Sequence, residues 1–579
     1  MAIENAAANA ERTVVDDVRL DDAWALVERF ATLVRDAGSD DELTAFGEIT
    51  SKLTAWGIPY ELYRPELLIS LPGAASVTVG TRLFPAKTAS MARSTGPGGD
   101  TAPLVYERVG FATDAAEVLA GSVAGTADVS GRMVLTEGLP MPARIADLAA
   151  RGAVGVVLVS PGERIHEGIC TPIWGSPDLR SLARKPTIPV VSVSNRDGLE
   201  LIQSITNGAT AATIIAEHDE AWRPIPILVA EIAGTVEPER FVLLHGHVDS
   251  WHVGVGDNAT GDATLLEAAR TLWTHRLSLA RSVRVAWWSG HSQGRYAGST
   301  WYADNFALDL ERNCICHLNC DSPGCRDADV YDDIVAMAEV EAVARDAIRD
   351  FADSPAVTIP PMRAGDISFN NLGISTYFML GPNIPPEVRR ERDLYAVGGC
   401  GGNIEWHTEA DTIEIADPER LLRDIRLYTG AVFRTANAVV HPLDFRATVA
   451  QAERVLSEYR PALEPYGDLQ AAVDAISDCK AALDRLYAQS DGVTSIHAAR
   501  PFNDALLRIG RLLVRLLYTQ EGPFRQDPAL HSPHLPELAA ARASVGKVPD
   551  GVLRTEVVRA RNRIVGMLRD VVELAHSAG

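Results

Sequence analysis

Between residues 241 and 440 the chain alternates short apolar runs with helical patterns, and this alternation constrains its fold more than any other feature. The runs are apolar almost throughout, as in parallel strands that are buried on both faces. Between them, apolar residues recur at the three- and four-residue steps of amphipathic helices. The alternation therefore predicts an α/β fold with a three-layer αβα core. The predicted strands are 241–244, 283–288, 314–318 and 376–380, and the predicted helices are 263–272, 300–310 and a long one from Pro418.

The remainder of the chain divides on pattern. Short strands and helices alternate again from Arg132 to Ser204, after a patch rich in Gly, Pro and Ser at 94–103. From Gln451 onward the strand pattern disappears, and two apolar stripes at helical spacing predict an α-helical C-terminal domain. That domain either packs only against its own chain or forms a dimer interface. The predicted units are 1–75 and 221–447 of one α/β domain, an insert at 76–220 and the helical domain at 448–579.

Composition excludes several classes of function. The chain has 54 Lys and Arg against 77 Asp and Glu, and this net charge of −23 argues against a nucleic-acid partner. No apolar stretch approaches the ~18 residues of a membrane span, and the N-terminal residues do not resemble a secretory signal. The seven cysteines are sparse for 579 residues and predict free thiols. We therefore expect a cytoplasmic protein without a membrane partner.

Polar side chains lie where the predicted strands end. His247 follows strand 241–244, and Asp321 follows strand 314–318. Asp257 lies in a glycine-rich turn before a helix, and His407 lies in the segment Trp406–Thr412. Loops at the carboxyl ends of parallel strands open onto a common crevice, so their joint placement is more informative than any one residue. Two histidines and two aspartates form a ligand set suited to zinc.

The ordered motifs resemble those of the zinc-dependent aminopeptidase-like peptidase family that includes glutamate carboxypeptidase and the transferrin receptor. The residues from Arg132 to Ser204 resemble its protease-associated insert, and the helical tail resembles its dimerisation domain. The motifs that carry the resemblance are His247-x-Asp249-Ser250, Gly256 to Gly261, Trp287 to Asn305, Asn319-Cys320-Asp321, Gly365 to Ile374, and His407-Thr408 with Asp411-Thr412.

The resemblance implies one or two zinc ions per chain. His247 and Asp321 would hold the first ion, Asp257 would bridge, and His407 would bind the second. Asp249 would orient a ligand histidine, or would simply accept hydrogen bonds within its own turn. The helical tail would make the protein a homodimer.

The sequence departs from the family pattern at its Glu-Glu pair. His291 stands at the position of the general-base glutamate and Ser292 at that of a ligand of the second zinc, in a turn that is one residue longer. A positioned general base contributes roughly 10²–10⁴-fold to rate, so its replacement matters. In one interpretation His291 acts as the base or as a metal ligand. In a second, the protein is an inactive binding or scaffold member, although an inactive site has no physical need for its remaining ligands.

A third interpretation rests on the segment Gly290-His291-Ser292-Gln293-Gly294, which matches the nucleophile elbow G-x-S-x-G. Ser292 would then be the nucleophile. The Asp257 turn that precedes this segment is foreign to the α/β-hydrolase fold, and short motifs match by chance.

Other side chains are candidates for substrate binding. Arg295 and Tyr296 follow the altered turn and could contact a substrate carboxylate, and Glu405 could face the pocket. Four cysteines crowd the strand and loop around Asp321, where buried thiols are more common than further metal ligands. These are Cys314, Cys316, Cys320 and Cys325. We expect a zinc-dependent hydrolase of amide or peptide bonds in a small substrate, with His291 as the general base.

Overall fold

A computed structural model describes residues 2–121, 125–208 and 210–577. Over these residues the strands are β1 (Tyr60–Tyr63), β2 (Glu66–Val79), β3 (Arg82–Pro85), β4 (Lys87–Thr88), β5 (Asp100–Tyr106), β6 (Met133–Glu137), β7 (Gly155–Val159), β8 (Val190–Val193), β9 (Ala211–Pro224), β10 (Ile227–Ile232), β11 (Glu237–His247), β12 (Arg281–Trp288), β13 (Cys314–Asn319), β14 (Tyr331–Val335), β15 (Ala356–Ile359) and β16 (Ser375–Thr376).

The helices over the same residues are α1 (Ala2–Asp16), α2 (Asp21–Phe30), α3 (Asp40–Trp56), α4 (Ala115–Ala120), α5 (Pro142–Ala150), α6 (Asn195–Thr206), α7 (Thr260–Thr274), α8 (Ala297–Asn305), α9 (Ala307–Asn313), α10 (Glu341–Ala352), α11 (Pro386–Glu391), α12 (Pro418–Asn437), α13 (Phe445–Leu463), α14 (Gln470–Ser490), α15 (Ile496–Tyr518), α16 (Pro536–Ala543) and α17 (Asp550–Ser577).

The central sheet has six strands in the order β1-β10-β12-β11-β13-β16. The last four of these run parallel, and β10 and β1 pair antiparallel at one side. Strand β11 is buried on both faces, because Val242 and Leu244 join one apolar core while Phe241 and Leu243 join another. The first core includes residues of α7 and α12, and the second includes residues of α8 and α9. The predicted three-layer α/β core is confirmed.

Several element boundaries differ from the prediction. The strand predicted at 376–380 is reduced to the two residues of β16, since the chain turns at Phe378, whose φ is 65°. The helix predicted at 300–310 begins earlier and divides at Phe306 into α8 and α9. Helix α1 is joined to α12, because Glu11 accepts two hydrogen bonds of 2.8 Å from Arg434.

The strands of a second sheet lie between β1 and β10 in sequence. Its eight strands are ordered β3-β2-β9-β5-β6-β7-β8-β4. The long antiparallel pair of β2 and β9 escaped the sequence analysis, because both strands have mixed burial rather than a clean apolar run. Strand β2 begins at Glu66, before the predicted start of the insert at residue 76. The domain boundaries drawn from the sequence stay predictions.

The C-terminal region is helical, as predicted, from α13 to α17. Its apolar stripes are buried in the same core as α12, for example at Leu506, Leu513, Val557 and Leu568. Among the described helices, none combines the length and the apolar composition that a membrane crossing requires.

Candidate active site

The ends of the parallel strands bring the predicted metal ligands together. His247 is the last residue of β11, and Asp321 follows the neighbouring strand β13. Nε2 of His247 lies 3.2 Å from Oδ1 of Asp257 and 3.6 Å from Oδ2 of Asp321. The other oxygen of Asp257, Oδ2, lies 3.1 Å from Nε2 of His407. The two oxygens of Asp257 thus face the two histidines, which is the arrangement of a bridging carboxylate.

The donor set of this cluster fits a divalent cation. Nε2 of His247 and Oδ1 of Asp257 are buried and have no hydrogen-bond partner among the described residues. Burial opposes protonation of His247, but the carboxylates of Asp257 and Asp321 outweigh it and raise the pKa of His247 well above its usual value. Burial likewise raises the pKa of Asp257, but His247 and His407 outweigh it and hold that pKa well below its usual value. The cluster therefore favours a positive charge at its centre, and its nitrogen and oxygen donors suit zinc.

The loop that carries Asp257 is fixed by backbone contacts. The carboxylate of Asp411 accepts hydrogen bonds from the backbone N–H groups of Gly256, at 2.7 Å, and of Asp257, at 3.0 Å. A Cβ atom on Gly256 would lie 2.8 Å from Ile415, so only glycine allows this approach. Asn258 ties the loop to that of Asp321, because its side chain bonds the backbone of Cys320 and Ser322 at 2.9 Å each. Asp411 was part of a sequence motif, but its role as an anchor was not predicted.

Backbone carbonyl groups orient the two histidines. Nδ1 of His247 lies 2.9 Å from the carbonyl oxygen of Asp249, and Nδ1 of His407 lies 3.1 Å from that of Glu167. The carboxylate of Asp249 is 4.0 Å from His247 and instead accepts the backbone N–H groups of His291, at 3.0 Å, and Ser292, at 2.8 Å. Asp249 therefore anchors the altered turn through its carboxylate and orients His247 through its carbonyl.

His291 lies beside the cluster and is held by a carboxylate that the sequence analysis missed. Its ring stacks on the ring of His247, with centroids 3.7 Å apart. Its Nδ1 lies 2.7 Å from Oδ2 of the fully buried Asp366, whose Oδ1 accepts a hydrogen bond of 2.5 Å from Ser299. Burial raises the pKa of Asp366, but the contact with His291 outweighs it and lowers that pKa. Since Nδ1 is engaged, Nε2 of His291 is the nitrogen left for chemistry.

His291 is also close enough to the first ligands to coordinate a metal. Within the described ranges, His247, His291 and Asp321 are the one group of three whose ligand atoms all lie within 4.8 Å of one another. The four cysteines around Asp321 are buried and form no such group in this part of the chain.

Ser292 does not have the surroundings of a nucleophile. It is buried, and its Oγ makes no hydrogen bond to a histidine among the described residues. Nδ1 of the adjacent His291 is held by Asp366. The backbone strain that a nucleophile elbow places at the serine lies further along the turn, at Arg295 with φ 50° and Tyr296 with φ 67°. Such conformations cost about 1–3 kcal/mol each and are common at functional sites.

Of the remaining candidates, Arg295 and Tyr296 line a cavity and Glu405 does not. A small cavity is lined by Asp257, His291, Asp321, Arg295 and Tyr296. Residues of the predicted insert close its other side, among them Met141 and Ile169. Glu405 is absent from this lining, and its carboxylate lies 3.5 Å from Arg326.

Comparison with known proteins bears on the fold and on the family. Residues 228–429 match the profile of peptidase family M28. This match spans the four parallel strands of the central sheet. This stretch contains all the predicted metal ligands, so the family predicted from the sequence motifs is confirmed.

The curated relatives match parts of this chain at low identity. "Probable glutamate carboxypeptidase VP8" of Zea mays is 26% identical over 348 residues, which are 49% of this chain and 48% of that protein. "Carboxypeptidase Q" of Xenopus laevis is 31% identical over 129 residues, which are 20% of this chain and 26% of that protein. The chain thus spans less than half the length of these curated relatives.

Two solved structures share the fold. A "Peptidase M28 precursor" from Shewanella amazonensis SB2B has a TM-score of 0.54 at 18% identity and covers 76% of this chain and 98% of its own. The "Aminopeptidase from Aneurinibacillus sp. strain AM-1" has a TM-score of 0.52 at 18% identity and covers 73% of this chain and 95% of its own. These likenesses establish the αβα core and leave the activity of this chain to be argued from its site.

Proposed function

We propose that the protein is a zinc-dependent hydrolase of amide or peptide-type bonds in a small substrate. The observation that carries the proposal is the convergence of His247, Asp257, Asp321 and His407. Two of the buried ligand atoms, Nε2 of His247 and Oδ1 of Asp257, have no hydrogen-bond partner among the described residues. When bound, a zinc ion polarises a substrate carbonyl and makes a nearby water more acidic. The match of residues 228–429 to peptidase family M28 supports this class of chemistry.

We assign the transfer of the proton from the attacking water to the leaving amine to His291. Asp366 holds the hydrogen on Nδ1, so Nε2 is free to accept the proton of the attacking water. The same nitrogen then returns that proton to the nitrogen of the leaving amine when the C–N bond breaks. Asp366 acts as a positioning residue, because it keeps the ring in one tautomer and one orientation.

Charge and ligand count favour a single tightly bound metal. The two carboxylates of Asp257 and Asp321 offset the charge of one divalent cation, whereas two cations would leave excess positive charge in a buried site. The second position retains His407 and one oxygen of Asp257, but Ser292 stands where a carboxylate ligand is expected. Zinc sites normally have at least three protein ligands, so we infer one zinc per chain.

The direct test combines elemental analysis with hydrolysis assays on purified protein. We expect about one zinc per chain, and turnover of small amides that a chelator abolishes and added zinc restores. The His291→Ala variant is expected to lose roughly 10²–10⁴-fold in rate while it retains zinc. His497→Ala, on the exposed face of α15, is the matched control and should change neither quantity.

Three outcomes would redirect the proposal. Protein without bound metal or hydrolytic activity would favour a binding or scaffold role on the same fold. Chelator-resistant turnover that Ser292→Ala abolishes would favour the serine as nucleophile. If His291→Ala loses zinc as well as rate, His291 is a ligand and not the base.

The assembly and location of the protein also stay proposals. We propose a cytoplasmic homodimer in which the helices of residues 448–579 form the contact. Sedimentation analysis of the purified chain tests the dimer, and a monomer at micromolar concentration would contradict it.

A further inference from the structure

Arg295 is held in place by the altered turn. It is 7% exposed, and its backbone carbonyl accepts a hydrogen bond of 2.7 Å from the N–H of Gly175. The next residue, Tyr296, donates its N–H to the carbonyl of His291 at 3.1 Å, and its hydroxyl accepts the N–H of Gly365 at 2.9 Å. The backbone at Arg295 is thus fixed by contacts that do not neutralise the charge of the guanidinium.

The guanidinium of Arg295 lacks the partners that the other buried arginines have. In the described parts of the chain it makes no hydrogen bond, no carboxylate lies within 4.0 Å of it, and its buried Nε has no acceptor. By contrast, Arg35 donates to four backbone carbonyls, and Arg144 and Arg281 pair with Glu107 and Glu237. Arg270 pairs with Glu267, and Arg511 donates to backbone carbonyls. A buried charge without a partner is costly, so its retention indicates an anion supplied from outside.

The cavity next to Arg295 is the one that contains the proposed metal ligands. Arg295 lines it together with Asp257, Asp321 and His291. The ring of Tyr296 contacts both Arg295 and His291. Its centroid lies 4.9 Å from Cζ of Arg295 and 4.8 Å from the centroid of the His291 ring. The cavity measures about 60 Å³, so a compact substrate fits it better than a long chain.

We propose that Arg295 binds a carboxylate of the substrate, and that the substrate is a small amide with a carboxylate close to its scissile bond. An N-acyl amino acid is the simplest molecule of this kind. The planar guanidinium offers two parallel N–H donors that match a carboxylate, and the apolar walls at Met141, Ile169 and Met379 suit an aliphatic side chain. This proposal rests on the proposed hydrolase function, because it places the amide at the metal ligands of the same cavity.

A binding experiment on the whole zinc-loaded protein tests the proposal without knowledge of the natural substrate. The probes are N-acetyl-L-methionine and its primary amide, which differ only in the carboxylate, measured by calorimetry under conditions that prevent turnover. We expect the acid to bind at least about tenfold more tightly than the amide. Arg295→Met should remove that difference, and Arg295→Lys should restore only part of it because lysine lacks the planar fork. Arg559→Met, at an exposed position of α17, is the matched control and should bind as the unaltered protein does.

Several results would overturn the assignment. Equal affinity for acid and amide in the unaltered protein would do so without any variant, even if Arg295→Met does not fold. Unchanged selectivity in Arg295→Met would also exclude the residue. Inorganic phosphate that competes as strongly as the carboxylate would indicate a general anion site. Zinc content and hydrolysis of uncharged amides are measured in parallel, because zinc-dependent turnover of these amides without carboxylate selectivity refutes this inference and leaves the hydrolase proposal intact.

Discussion

The contact between His291 and Asp366 can be tested by replacing Asp366 with asparagine. This change keeps the size of the side chain and removes its charge. The contact is short, 2.7 Å, and Asp366 is fully buried while the His291 side chain is only 13% exposed. Water therefore replaces the lost interaction poorly.

The expected effect follows from the energy of a charge-assisted hydrogen bond. Such bonds contribute about 1.5–3 kcal/mol, and about 1.4 kcal/mol corresponds to a tenfold change in rate. If the contact matters mainly while His291 carries the transferred proton, Asp366→Asn should lower kcat by about 10- to 100-fold. KM should change little, because the substrate does not contact Asp366 in the proposed mechanism.

Steady-state kinetics with a double-mutant cycle separate a positioning role from a merely structural one. In the His291→Ala background, Asp366→Asn should have almost no further effect, since its partner is already absent. Ser299→Ala removes the other hydrogen bond to Asp366 and serves as the control, with a smaller effect expected. Equal losses from Asp366→Asn in both backgrounds, or a loss confined to KM, would refute the proposed role.

Three further predictions concern metal binding and stability. Ser292→Glu should restore a carboxylate at the second metal position and raise the zinc content from about one towards two per chain, whereas Ser292→Gln should not, as elemental analysis would detect. Zinc removal should lower the midpoint of thermal unfolding, and calorimetry with increasing free zinc should show the midpoint rising again. Burial lowers the pKa of His166 to about 4. In the unfolded chain this histidine binds a proton below about pH 6.5, whereas in the folded chain it does so only below about pH 4. Stability should therefore fall as the pH drops through this window, by about 3 kcal/mol from His166, and urea unfolding of His166→Gln should show a shallower decline than His497→Gln.

The sequence predicts the part of the site that depends on strand order. His247 and Asp321 end neighbouring parallel strands, and such ends lie at one edge of a sheet. The positions of Asp257 and His407 were predicted from the family motifs, because strand order alone does not place their loops opposite these strands. The αβα core follows from apolar runs that are buried on both faces.

What escaped prediction depends on contacts between residues that are distant in the chain. Asp366 and His291 are 75 residues apart, and nothing near Asp366 distinguishes it from an ordinary loop carboxylate. That Arg295 has no carboxylate partner among the described residues is likewise a property of its surroundings, because only a structure shows which carboxylates lie too far from it. Strand β2 was missed because its burial pattern is mixed along its length.

The departures of this chain from the family pattern at the Glu-Glu pair lie in one turn, and their electrostatic effects act together. Two glutamates at 291 and 292 would place two negative charges beside Asp257 and Asp321 and would repel an anionic substrate. With His291 and Ser292 in those positions, the cavity has fewer carboxylates to balance, and Arg295 adds a positive charge on the same turn. The loss of the carboxylate pair and the presence of an unpaired guanidinium therefore favour the same outcome, which is a site with one metal that accepts a negatively charged substrate. As long as only one zinc is bound, Glu at position 292 should weaken carboxylate binding at Arg295, and undiminished carboxylate affinity of Ser292→Glu at that zinc content would contradict this coupling.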